Sequence, residues 1–170
     1  MNKLFNLIIL ILLMIPTVSH ADTYMDSFFN PKAVSVVTGL YTKHLSGQTF
    51  KDDLSNTERD YNESNDYFAV KVYMENDLQV SAARFNNSYY DESYALGIHK
   101  DLYKPNNYIS FGAELLLSSG YEDHLSFGWK ITPVPSAFAR VDINHFSAKL
   151  SFIGGTVVAI TGEYRFYTMR

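Results

Sequence analysis

From residue 33 onward the chain alternates apolar and polar side chains with a period of two, run after run, and no apolar stretch beyond Ala21 is long enough to cross a membrane as a helix. Such alternation marks strands with two unlike faces. Ala33 to Leu45, rich in Val, Thr and Tyr, is the first run. Phe68, Val70, Val72 and Met74 then alternate with Tyr67, Ala69, Lys71 and Tyr73. After a tight turn at Glu75-Asn76-Asp77, Leu78, Val80 and Ala82 alternate with Gln79, Ser81 and Ala83. The fourth run sets Tyr94, Leu96 and Ile98 against Ala95, Gly97 and His99, and the fifth extends from Ile109 to Leu117. A sixth, Phe127, Trp129 and Ile131, is interrupted by Pro133 and Pro135 and resumes from Phe138 to Ile143. Phe146 to Phe152 and Val158 to Phe166 complete the set.

Eight such strands, joined by alternately long and short connections from a long first loop at residues 46–66, predict an all-β fold. The expected form is an eight-stranded antiparallel up-and-down transmembrane barrel, with long loops outside and short turns on the periplasmic side. Lys71, Glu114, Lys130, Glu163 and Arg165 would point inward, while Tyr41, Tyr67, Tyr94, Tyr108, Trp129 and Tyr164 would form interfacial girdles. A soluble secreted barrel, with the apolar rows facing in, is the alternative. The charged inward set favours the membrane form, although Thr168-Met169-Arg170 trails beyond Tyr167, where such barrels commonly end on an aromatic residue.

The N-terminus supports that choice. Lys3 precedes an apolar run from Leu4 to Met14, and Ser19-His20-Ala21 offers a cleavage site, so residues 1–21 are expected to be a signal peptide and residues 22–170 the barrel. The expected location is the bacterial outer membrane. Without cysteine there is no disulfide framework and no thiolate metal site, and no cofactor is implied. A scattered net charge of −4 argues against a nucleic-acid surface. Membrane lipids are the expected partners, met by a monomer.

If both termini are periplasmic, the polar residues between strands gather at one end. His44 enters the first outer loop, Tyr61-Asn62-Glu63 lies near that loop's close, and Asn87-Ser88 opens the second. A histidine as proton acceptor and a serine hydroxyl suit acyl transfer in kind. The same residues fit a non-enzymatic barrel whose outer loops serve adhesion or surface modification.

The order of these motifs resembles the outer-membrane lipid A palmitoyltransferase family. The resemblance rests on His44, then Tyr61-Asn62-Glu63, then Phe85-Asn86-Asn87-Ser88. It extends to Ile131-Thr132-Pro133-Val134-Pro135 with Phe138-Ala139-Arg140-Val141, and to Phe152-Ile153-Gly154-Gly155. It implies transfer of an acyl chain from a phospholipid to lipid A, with His44, Asn87 and Ser88 at the reacting centre and Tyr61, Asn62 and Glu63 supporting the mouth. Pro133 and Pro135, which cannot donate to a sheet ladder, would weaken a seam for lateral lipid access.

Three departures stand out. Asn87 replaces the family's aspartate, so Asn87→Asp is expected to keep or raise activity. The stretch available for the family's N-terminal amphipathic helix, Asp22 to Lys32, is short. His99 falls where the family has the glycine at the floor of its acyl pocket. There it would shorten the accepted chain, and it would need a partner such as Glu114 or Lys71.

Overall fold

The computed structural model describes residues 31–45, 47, 49–52, 57–74, 77–124 and 130–167. The expected signal peptide, residues 22–30, Phe127, Trp129 and the chain end at residues 168–170 lie outside them. The strands are β1 Pro31–His44, β2 Thr49–Asp52, β3 Thr57–Asp60, β4 Phe68–Met74, β5 Leu78–Asn86, β6 Glu92–Tyr103, β7 Ile109–Ser118, β8 Thr132–Ile143, β9 Phe146–Ile153 and β10 Val157–Tyr167. Eight of them close an antiparallel barrel in the order β1-β10-β9-β8-β7-β6-β5-β4, each beside its neighbour in the chain. The predicted up-and-down barrel is therefore the fold.

The first long loop is not featureless. Within it β2 and β3 pair as a small separate hairpin, Thr49 opposite Asp60 and Asp52 opposite Thr57. Sequence alternation misses these strands because each is four polar-rich residues long.

Each barrel strand turns one row inward and one outward. On β6 the inward row is Ser93, Ala95, Gly97, His99 and Asp101, all buried, while Leu96 and Ile98 stay about half exposed on the outside. The same polarity holds around β7 to β10, where Leu115, Leu117, Leu150, Phe152 and Phe166 face out. On β1, β4 and β5 the outward residues Val34, Val70, Val72, Met74 and Ala82 are buried instead and form one apolar cluster. Tyr41 and Tyr164 are exposed on the outer face, and Tyr108, also exposed, borders the opening at the lower end of the barrel. Tyr67 does not face out, because it shares the inward row of Lys71 and Tyr73 and packs with Phe85 and Ala83 inside.

Two corrections concern β8. Its ladder with β7 continues through both prolines, Pro133 opposite Leu117 and Pro135 opposite Leu115, so the prolines lie within the strand rather than interrupting it. Lys130 precedes that strand and is exposed, so it does not belong to the inward set. Arg140 and Lys149 do, both buried.

Candidate active site

Strand parity alone would point His44 at the outside, because Ser35 and Val37 are the inward residues of β1. A bulge between Gly39 and Tyr41, in the ladder with β10, inserts one residue and reverses the alternation. Beyond it Thr42 and His44 belong to the inward row. The imidazole thus reaches the barrel mouth, the end carrying the loops after β1, β5, β7 and β9.

There His44 Nε2 lies 2.8 Å from Ser88 Oγ, across 44 residues of sequence. The ring of Tyr61 stacks on His44 at 4.0 Å between centroids and 8° between planes, fixing the imidazole's tilt. Asn62 clips the first loop onto the second. Its backbone N–H donates to the Ser88 carbonyl at 2.9 Å, and its side-chain amide donates to the Asn87 carbonyl at 3.2 Å. Glu63 pairs with Lys43 at 2.8 Å, and its carbonyl accepts from Thr42 N–H at 3.1 Å. Tyr61, Asn62 and Glu63 therefore hold the mouth together, each by a different bond.

Asn87 does something else. It is fully buried, and its Oδ1 accepts from the N–H groups of Tyr89, at 2.9 Å, and Asp91, at 3.0 Å. Its amide nitrogen donates to the Gly120 carbonyl. These bonds shape the loop that carries Ser88 and tie it to the next loop, without touching His44. Because Asn87 takes the N–H groups of Tyr89, Tyr90 and Asp91, none of those three is free to stabilise an oxyanion. A carboxylate at position 87 would face the Gly120 carbonyl and lose a donor.

Burial holds the His44 imidazole below its ordinary pKa, with the Glu63 carboxylate opposing the shift and the Lys43 ammonium adding to it. A neutral imidazole 2.8 Å from a hydroxyl is a competent proton acceptor.

The lip holds a second histidine that the sequence did not single out. His124 Nε2 bonds Asp91 Oδ2 at 2.6 Å, and its ring stacks on Tyr89 at 3.9 Å. Phe50 of the hairpin touches Tyr61, Tyr89 and His124, so the two histidine–tyrosine stacks share one aromatic cluster. Nothing short of the folded loops brings residues 50, 61, 89 and 124 together.

Below Ser88 a cavity of about 110 Å³ opens inside the barrel. Tyr67, Phe85, Leu116, Val134, Ile153 and Val157 give it apolar upper walls, and Glu114 and Lys149 line its lower end. His99 lies behind this floor. Its Nδ1 bonds Glu114 Oε2 at 2.7 Å, its Nε2 bonds Ser81 Oγ at 2.8 Å, and only 1% of its surface is exposed. Glu114 also accepts from Lys149. The floor expected at His99 is thus the Glu114–Lys149 pair, with His99 as its buttress. Gly97 makes room for that arrangement, since a Cβ there would sit 2.5 Å from Ser81 Oγ and 2.8 Å from His99 Nε2.

The prolines flank the cavity's wall. Pairing between β8 and β9 begins only at Ser136 opposite Ile153, so Thr132 to Pro135 are in ladder with β7 alone. On the β9 side, Gly154 N–H donates to the Pro135 carbonyl at 2.9 Å. Val134 and Ile153, on either side of that gap, both line the cavity.

Among the described residues no group of His, Asp and Glu side chains could hold a metal ion. No protein-family model matches the chain, and no curated protein matches it closely enough to show a relative.

Proposed function

We propose that this protein is an outer-membrane acyltransferase that moves an acyl chain from a phospholipid to lipid A. The observation that carries the proposal is the His44–Ser88 bond set directly above an apolar-walled cavity, within a barrel whose outer wall is largely apolar. A barrel with apolar residues outside and paired charges inside suits a bilayer, where closure satisfies every backbone group. The donor's acyl chain would enter the cavity beside Pro133 and Pro135, leaving its ester at the mouth. His44 takes the proton of the attacking hydroxyl as that oxygen bonds to the ester carbonyl carbon. It returns the proton to the glycerol oxygen as the lysophospholipid leaves. Where Ser88 is that hydroxyl, the acyl group is left on Ser88 Oγ. A lipid A hydroxyl then gives its proton to His44, attacks the serine ester and displaces Ser88 Oγ, which takes the proton back. Where Ser88 instead orients the lipid A hydroxyl, that hydroxyl attacks the phospholipid ester directly. A serine-linked acyl group trapped by acid quench separates the two.

Cavity size limits the chain. A 150 Å³ cavity holds a molecule the size of benzene, so about 110 Å³ suits a chain well short of palmitoyl. Mass spectrometry of lipid A from cells with and without the protein tests the proposal. An added acyl mass that vanishes in His44→Ala supports it, and identical profiles in all three strains would sink it.

A non-enzymatic barrel is the second reading, favoured by one observation. Asn87 is committed to its own loop and to Gly120 of the next, and the nearby Glu63 is paired with Lys43, so among the described residues no carboxylate bonds His44 as one usually does to orient such a base.

A further inference from the structure

The cavity's walls change character with depth. At the mouth level Val157 of β10 and Ile153 of β9 face each other across the ladder. One step down Ala159 stands opposite Ser151, and one further step down Thr161 stands opposite Lys149. Ser151 and Thr161 both line the cavity, both are at least nine-tenths buried, and neither hydroxyl has a hydrogen-bond partner. Beside them Glu114 takes one of the three N–H donors of Lys149. An apolar slot made only for hydrocarbon would not end on two unsatisfied hydroxyls and a buried ammonium, because each unmet polar group costs free energy that a methyl-lined floor would not.

We infer that the lower end of this cavity is a subsite for an oxygen function, so that the chain it takes carries a hydroxyl at the end that enters first. Ser151 Oγ and Thr161 Oγ1 each both donate and accept, and an alcohol does the same, so a ligand hydroxyl satisfies groups that hydrocarbon leaves unpaired. Val157, Ile153, Leu116 and Phe85 grip the methylenes above it. The inference deepens the acyl-transfer reading by naming the chain, but it stands on the cavity itself and needs neither His44 nor Ser88. A site that hydrogen-bonds a ligand hydroxyl discriminates far more strongly than one that counts methylenes.

Two small esters test it: methyl hexanoate, and methyl 6-hydroxyhexanoate with the hydroxyl at the far end. Binding to the purified full barrel in amphipol is followed by NMR shifts of labelled Ile and Val methyls, with free ester measured to correct for partition. The hydroxy ester should bind at least tenfold more tightly to the wild type. In Ser151→Ala with Thr161→Val that preference should fall below threefold. Thr161→Val alone, a near-isosteric change, should reduce it several-fold if the double variant does not fold. His44→Ala should keep the preference while slowing any acyl transfer, so recognition and catalysis fail separately. Equal or tighter binding of the plain ester to the wild type would overturn the subsite, as would no binding of either ester or a preference that survives both substitutions.

Discussion

Below Thr161 and Glu114 the barrel interior is lined by paired charges, and Tyr73, Gln79, Asp101, Arg140, Asp142 and Arg165 border a polar opening of about 670 Å³ at that end. Above them, by contrast, the same strands turn Phe85, Leu116, Val134, Ile153 and Val157 to a smaller apolar cavity. The lower half joins Lys71 to Glu163 at 2.8 Å, Arg140 to Asp101 at 2.7 Å, Arg165 to Asp142 at 2.9 Å, and Lys149 to Glu114. Four cations meet four anions there, with Tyr73, Gln79 and Ser147 bonded into the same network. Such a set is neutral as a whole and intolerant of the loss of any member. An apolar stretch in an interior whose default is polar calls for a different explanation, and a chain-shaped ligand supplies one. Paired charges therefore line one end of the barrel and apolar side chains the other, with Glu114 and Lys149 at the boundary.

Breaking the lower half should have the largest effect. Glu114→Ala strands the Lys149 ammonium in a site where both partners are at least nine-tenths buried, and removing one member of a buried pair costs about 3–5 kcal/mol. Urea unfolding followed by gel mobility should show that loss, and an unchanged midpoint would mean the Glu114–Lys149 pair is not structural. In the upper half, His44→Ala should leave that midpoint unaltered. It should slow acyl transfer by roughly 10²–10⁴-fold, the usual contribution of a general base.

The loops come next. Asn87→Asp should destabilise the Ser88 loop by about 1–3 kcal/mol, since a buried donor to the Gly120 carbonyl is lost. Hydrogen exchange at Tyr89 and Asp91 would report it as faster exchange with the barrel intact. Slower exchange and higher activity would instead support the expectation drawn from the resemblance. The smallest effect is on pH dependence. With His44 held below its ordinary pKa by burial, the neutral form needed for catalysis persists as pH falls through the usual histidine range. Transfer should be flat around neutrality and decline only at more acidic pH, where the imidazole protonates. A decline that begins above the ordinary histidine value would contradict the burial assigned to His44.

The barrel was legible because alternation runs through the described wall strands apart from the reversal in β1, and because the charged row of Lys71, Glu114 and Glu163 reports which face is inside. Other features were out of reach for physical reasons. A one-residue bulge at Gly39 to Tyr41 leaves no compositional mark, yet it decides that His44 faces the mouth. Pro133 and Pro135 read as breakers because proline lacks a donor, but β9 pairs β8 only from Ser136, so the strand tolerates them. Lys149 sits between Ala148 and Leu150 in a run read for its apolar row, so its part in the floor became visible only with Glu114 across the barrel. His124 and Asp91 meet through loop closure, which no spacing encodes.

Reconstitution tests the account's central claim most directly. The purified barrel would be placed in bilayers of phospholipids with acyl chains of graded length, with lipid A as acceptor, and lysophospholipid release measured. The account predicts release that depends on His44 and is faster for chains well short of palmitoyl, because Glu114 and Lys149 close the cavity at about 110 Å³. No release from any chain, or equal release from wild type and His44→Ala, would contradict it.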